Sequence, residues 1–525
     1  MTARSGSLIV CLTVVLVTPS VPSAQAATIT VPAGGDLQAA LDLARPGDII
    51  ALAPQATFTG NFVLSAKPDA GSRYVTVRTA ISDNATALPG WRITPALAVP
   101  LAKIRSANNT AAMRTAPGAH HWRLQLLEFQ SNAGGVGTII ELGDGSAAQN
   151  SLSQVPRALT IDRCYIHGDA EKGQKRGIGL NSASTTITGS YISDIKAVGQ
   201  DSQAIAGWNG PGPFTIDNNY LEAAGENFLL GGALPGIRDL VPSDVVFRRN
   251  HVTRPAAWRQ EQWSVKNLLE LKNARRVLVE ANIFETHWSG AQSGYAIVLT
   301  PRGEGGQAAW AVVEDVTFQF NILRNAAAGF NILGHDDGGP SGLARRIRVA
   351  NNLFHGLDRG WGGNGFFLLI GDGPEQIIID HNTIIQSGNV VSAYGEASGS
   401  PVPIRAFSFT NNLALHNANG VHGRGRAIGL GTLEAYFPDF VFARNVLAGG
   451  RASRYPPGNE FPDEAEFARA FVSYEAADYR LAAGSAYRSA GTDGRDLGAD
   501  TTTLLRKTKG VERGQPEEGV RVPRR

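Results

Sequence analysis

Five residues have the types and spacing to do acid–base and charge chemistry together. Glu270 and Lys272 stand in "NLLELKN", Arg302 in "LTPRG", and His335 and Asp337 in "GHDDGG". Two reactions suit them. In β-elimination from a uronate, a base removes the C5 proton while a cation neutralises the carboxylate. Lys272, Arg302 or His335 could be the base and Arg302 the neutraliser, with Glu270 or Asp337 able to hold Ca2+. In hydrolysis two carboxyl groups flank the glycosidic bond, about 5.5 Å apart for retention or about 6.5–9.5 Å for inversion. Glu270 with Asp337, or with Asp336, is the pair to consider. Trp258, Trp263, His287, Trp288, Trp208 and Trp361 offer flat faces for pyranose rings. Glu226, Lys266 and Arg259 could bind hydroxyls and carboxylates. The competing view is a solvated ion-pair network, worth about 0–1 kcal/mol per pair, with Trp288 packing a turn.

Residues so far apart along the chain meet only if the chain repeats, and it does. Asn219, Asn250, Asn282, Asn321, Asn352, Asn382, Asn412 and Asn445 each follow a short β-rich run, at successive separations of 31, 32, 39, 31, 30, 30 and 33 residues. Cys164 and Ser190 stand at the same place in two earlier units. Each unit holds three short apolar runs of period two, punctuated by Gly and Asn, which excludes helical repeats. A coil of this kind cannot bury its inner face alone, so coils must stack. The recurring Asn predicts an amide ladder at one corner and a side chain tolerant of left-handed backbone there. Taking Phe228/Leu230, Leu269/Leu271, Ile297/Leu299, Ile332/Gly334 and Leu368/Ile370 as inward leaves an outward set. It comprises Asn227 and Leu229; Glu270 and Lys272; Val298, Thr300 and Arg302; Asn331, His335 and Asp337; and Phe367 and Leu369. With coils about 4.8 Å apart, the five reactive residues would share one patch over three coils.

Repeats such as "VTFQFNILRN" and "RRIRVANNLFHG" resemble those of right-handed parallel β-helix proteins of the pectate lyase-like superfamily, over roughly Ala27 to Asp500. The resemblance implies an all-β, single-stranded right-handed parallel β-helix of about ten or more coils. Activity stays open, because the superfamily holds lyases, glycoside hydrolases, epimerases, esterases and non-catalytic carbohydrate binders. No run matches the Arg-centred signature of well-known pectate lyases or the paired-Asp signature of polygalacturonases.

The expected organisation is a signal peptide at 1–26, a β-helix domain at 27–500 and a disordered tail at 501–525. Within the domain, 27–67 forms an N-terminal capping helix and first coil, 159–446 the regular coils and 447–500 a closing segment. Arg4, the apolar run "LIVCLTVVLV" and the small-residue site Ala24-Gln25-Ala26 carry the export reading. Ten apolar residues are too few to span a membrane, so a secreted or periplasmic monomer is expected. Its formal net charge of +2 gives no reason to expect nucleic acid. Removing the signal leaves Cys164 without a disulfide partner, as a buried packing residue; no Cys/His metal spacing is present. The leading functional expectation is an exported lyase or hydrolase of a uronate-containing polysaccharide. A non-catalytic glycan-binding or structural surface protein and a polymer-level uronate epimerase are the alternatives.

Overall fold

The computed structural model describes residues 1–2, 26–69 and 71–517. The core of the expected signal peptide and residues 518–525 lie outside the described residues. Among the described residues, three parallel sheets of 14, 13 and 12 strands run the length of the molecule. They are called A, B and C here. One coil shows the path: Ala274–Glu280 in sheet A, Ile283–His287 in sheet B, Tyr295–Leu299 in sheet C, then Val313–Gln319 back in sheet A. Every strand pairs in register with its counterpart one coil away, as Val277 does with Val316 and Phe284 with Leu323. The chain is a right-handed parallel β-helix.

The Asn ladder forms at the corner between sheets A and B. The Asn321 side-chain oxygen accepts from both the backbone N–H (2.9 Å) and the amide Nδ2 (2.9 Å) of Asn282, while Asn321 Nδ2 donates to Val279 O and Asn352 Oδ1. The pattern repeats from Asn219 through Asn445. Ser190 and Cys164 occupy the earlier rungs, and Asn459 adds one more. The left-handed backbone is not at the ladder residue, as expected, but at the residue before it: Asn218, Arg249, Ala281, Phe320, Asn351, His381, Asn411 and Arg444 all have φ between 51° and 60°. The ladder side chain must point inward to bond the next coil, so its neighbour takes the turn.

The interior is continuous and apolar. Phe247, Phe284, Phe318 and Phe354 follow one another along its centre, with ring centroids 5.7 to 6.4 Å apart, a spacing at which aromatic pairs add to simple burial. Cys164 lies within this core and burial pushes its thiol up to about 12, so it packs and does not react.

At the N-terminal side the Leu37–Leu43 helix starts at Asp36, whose carboxylate accepts from Ala39 N, and buries Leu37, Ala40 and Leu41 in the core. Between Val75–Thr79 of sheet A and Ala102–Arg105 of sheet B the chain makes a lateral excursion. The expected disordered tail is also corrected as far as residue 517. Thr501–Thr508 is a helix, and Leu504 and Val511 are fully buried. They cover an outward apolar row on sheet B (Ile283, Ile322, Leu353, Leu413) that no charge-rich tail reading anticipates.

Candidate functional site

Sheet C carries the candidate site, but in a register that differs from strict alternation. Each strand turns two consecutive residues inward: Ala204 and Ile205, Leu268 and Leu269, Ala296 and Ile297, Phe367 and Leu368 are all in the core. The residues flanking each inward pair then face out. Glu226 and Leu229, Asn267 and Glu270, and Tyr295 and Val298 therefore form two outward rows. Two expectations are overturned. Asn227 turns into the B–C corner, where its Nδ2 donates to Leu221 O and Thr253 O, and Phe367 is interior.

Lys272 and Arg302 meet at the far end of these strands. Arg302 N donates to Lys272 O (2.9 Å), so the two residues sit on consecutive coils at the same edge. Lys272 Nζ lies 3.5 Å from Glu270. The Arg302 guanidinium bonds Asp336 (2.6 Å) and also Asp337. Burial alone would raise the Asp336 carboxyl, but the N–H groups of Gly303 and Gly338 and the Arg302 guanidinium hold it below the usual range. His335 is exposed on the same turn and lies near Asp372. Two long connections flank this face, 254–266 between sheets B and C and 300–312 between C and A.

At the near end of the strands Glu226 is completely buried. Gln203 Nε2 donates to it (3.0 Å), and Lys266 Nζ approaches to 3.7 Å while bonding Asp201 at 2.6 Å. Burial pushes the Glu226 carboxyl up to about 7, with Glu270 and Asp201 adding to the rise. The sign of the consequence is fixed. The unfolded carboxyl titrates near 4.5, so between there and about 7 the folded state holds a proton that the unfolded state has released. Stability therefore falls as pH rises through that window. Glu226→Gln is expected to be more stable than the wild type at pH 8 by about 3 kcal/mol and to lose most of that advantage at pH 4. Urea denaturation at the two pH values measures it; equal differences at both would contradict the assignment.

Beneath this row lies a polar network that has no signal in the sequence. Arg254 is fully buried in "HVTRPAAW" and donates to Asn267 O (2.8 Å) and Asn227 Oδ1 (2.9 Å), with His287 Nδ1 3.0 Å away. Burial brings its guanidinium down to about 9, opposed by Glu226. Burial and the Arg254 charge drive His287 well below its ordinary range. His287 is thus a buried brace and not the substrate contact expected of it.

The tryptophans divide. Trp258 and Trp288 are buried in a satellite cluster with Val265, so Trp288 packs a turn and does not offer a sugar platform. Trp263 and Trp361 are half-buried at its rim. The Lys196 ammonium lies over Trp263, and the Arg259 guanidinium over Trp361. Trp208 is half-buried on the sheet C face, beside Arg176, a residue not singled out beforehand.

The Glu270 and Asp337 carboxylates each pair with a cation of the chain, Lys272 and Arg302 respectively.

No family model matches the chain, and no curated protein sequence does. Solved structures do. One is a mannuronic-acid-specific family 6 polysaccharide lyase from the human gut microbiota, at 12% identity and a TM-score of 0.51, over 84% of this chain and 92% of that one. Another is the family 6 alginate lyase AlyGC, at 14% identity and a TM-score of 0.54. That match takes in 83% of this chain and spans about half the length of the lyase, 53%. At these identities the likeness is one of fold: the chain shares the parallel β-helix of polysaccharide lyases.

Proposed function

We propose that the protein is an exported polysaccharide lyase acting on a uronate-containing polymer along the sheet C face. The observation that carries this reading is the layering of charge there. Glu226 and Glu270 are 0% and 3% exposed, whereas the cations above and beside them, Lys272 at 19% and Arg302 at 33%, reach the surface. A polymer lying on this face meets cations first, which suits a polyanion. A hydrolase needs two carboxyl groups accessible across one glycosidic bond. Here Glu270 is covered, and Asp336 and Asp337 are both engaged by Arg302.

In this reading Arg302 gives up its exposed partner Asp337 to bind the uronate carboxylate, keeps Asp336, and stabilises the charge that develops on the substrate when the C5 proton leaves. Lys272, on the adjacent coil, takes that proton as its neutral amine and becomes the ammonium that pairs with Glu270, 3.5 Å away. The leaving oxygen takes its proton from water as its bond to C4 breaks; Tyr394 stands four coils, about 19 Å, from Lys272 along the axis.

Incubation with oligomannuronate, alginate, polygalacturonate and a neutral glucan, followed by ultraviolet absorbance of the unsaturated uronate end, tests the reading. Lys272→Ala and Arg302→Ala are each expected to lower kcat/KM at least about 10²-fold. A double variant no worse than either single is expected, because the two act in one step. Absence of unsaturated product on every acidic polymer would sink the lyase. New C5 stereochemistry without new chain ends would point to the epimerase.

A further inference from the structure

Two coils from Lys272, toward the N-terminal end of the same face, lies a pocket of about 310 Å3 that the reaction does not use; Arg176, Trp208 and Glu141 line it. Trp208 follows Gly207, and Lys272 follows Leu271. Gly207, Leu230 and Leu271 stack in register, so Trp208 stands about 10 Å from Lys272 along the coil axis. The coil between them contributes Gly231 and Gly232, both in left-handed backbone. A side-chain carbon on Gly232 would come within 2.9 Å of the Lys272 stem. Any larger residue there would crowd the Lys272 side chain.

The pocket is built. Trp208 is held by Nε1 donating to Gly145 O (2.7 Å) and by its backbone N–H donating to Asn181 Oδ1 (3.0 Å). The Arg176 guanidinium lies 5.0 Å from the Trp208 ring and donates from Nε and Nη2 to Gln203 Oε1. Among the described residues Arg176 has no carboxylate within ion-pair distance, unlike Lys266, Lys272 and Arg302 on the same face. Its hydrogen-bond partner is a neutral amide, and Glu226, Glu141 and Asp201 act on its charge only from beyond ion-pair distance. Burial raises the Glu141 carboxyl, with Asp144 adding and Arg114 and Arg176 opposing. The floor between them is Gly179, and Ala206 follows on the next coil, both small.

We propose that Arg176 and Trp208 form a second, non-reacting subsite that takes a carboxylated sugar of the same chain. Arg176 binds its carboxylate, and Glu141 accepts from its hydroxyls. The proposal rests on the acidic-polymer reading above and adds a specificity element to it. It makes the protein a binder of internal stretches, since a unit at Trp208 and a unit at Lys272 belong to one strand.

The test separates binding from turnover by using the full-length Lys272→Ala variant as parent. Affinity is measured by calorimetry for oligomannuronate and oligogalacturonate dimers and hexamers and for the carboxyl-reduced hexamers. Arg176→Ala and Trp208→Ala are each expected to weaken binding of an acidic hexamer about tenfold, leaving the dimer unchanged. Trp208→Phe, with circular dichroism matching the parent, is expected to keep most of the affinity. Unchanged hexamer affinity in Arg176→Ala overturns the subsite, as does an equal loss for the carboxyl-reduced hexamer, or no acidic hexamer binding at all. Arg176-dependent binding in a protein that yields no unsaturated product keeps the subsite and removes the lyase.

Discussion

Asn321→Ala is expected to destabilise the protein by about 4 kcal/mol and to raise hydrogen exchange at the Asn282 amide before anywhere else in the coils. The side-chain oxygen of Asn321 is the acceptor for two donors of Asn282, and Asn321 Nδ2 in turn serves Val279 O and Gln319 O. Both residues are wholly buried, so water cannot replace what the substitution removes. Leaving a buried donor unsatisfied costs about 1–3 kcal/mol. The Asn282 N–H is orphaned outright, Asn282 Nδ2 keeps only Phe247 O and Glu280 O, and the carbonyls that Asn321 Nδ2 served lose a donor as well. In a solenoid each coil touches only its neighbours, so the damage falls on the interface between the coils of Asn282 and Asn321. Asn84→Ala, on an exposed turn, should move stability by no more than about 0.5 kcal/mol. Urea midpoints and exchange rates of the three proteins decide it; a loss below about 1 kcal/mol at Asn321 would mean that the ladder is ornamental.

The fold was legible because the ladder demands one residue type. Only an amide of this length accepts from one coil and donates to another, so selection for stacking writes Asn at the repeat interval. Where a shorter group suffices the residue changes, and Ser190 and Cys164 are visible only once the period is known. Asn459 escapes because it follows Asn445 after 14 residues, outside the period, yet completes the last rung. The left-handed corner residue leaves no trace, since Arg249, Ala281, Phe320 and His381 serve alike. Next to the ladder, each pays only the modest strain of an isolated αL residue.

The site was half legible. Lys272 and Arg302 were read at one edge and do meet there, since both follow strands whose apolar pattern is plain. At the near end period-two alternation fails, because these strands turn two residues inward. The doubled apolar pairs in "NLLEL", "YAIVL" and "QAIAG" were the available signal. That register explains why Glu226 faces the site and Asn227 does not. Arg176, Gln203 and Arg254 were invisible for another reason: none has meaning until its neighbours on other coils are known. Charge layering, the feature that separates a lyase face from a hydrolase pair, is a matter of depth, and depth is not written in residue types.

Ending the chain after Ala499 is expected to lower stability by about 4 kcal/mol or more, although the segment removed is rich in charge. From Asp500 the chain runs back along the corners of coils already formed. Asp500 N donates to Asn351 Oδ1, Glu512 pairs with Arg324, and Arg92 and Asn218 donate to Gly514 O. These contacts belong to coils far apart in sequence, so the strap ties down several interfaces at once. Leu504 and Val511 each contribute about 1.5–3 kcal/mol by burial over Ile283, Ile322 and Leu353. Arg249 donates to the carbonyls of Lys507, Lys509 and Gln515; without them it returns to water, which limits its share. Leu504→Asp in the full-length chain separates burial from chain length and should reproduce at least half of the loss. Exchange should rise at the A–B corner amides while sheet C, on another side of each coil, stays protected. A truncated chain as stable as the whole would show that the outward apolar row tolerates water, and that the strap follows the coils without holding them.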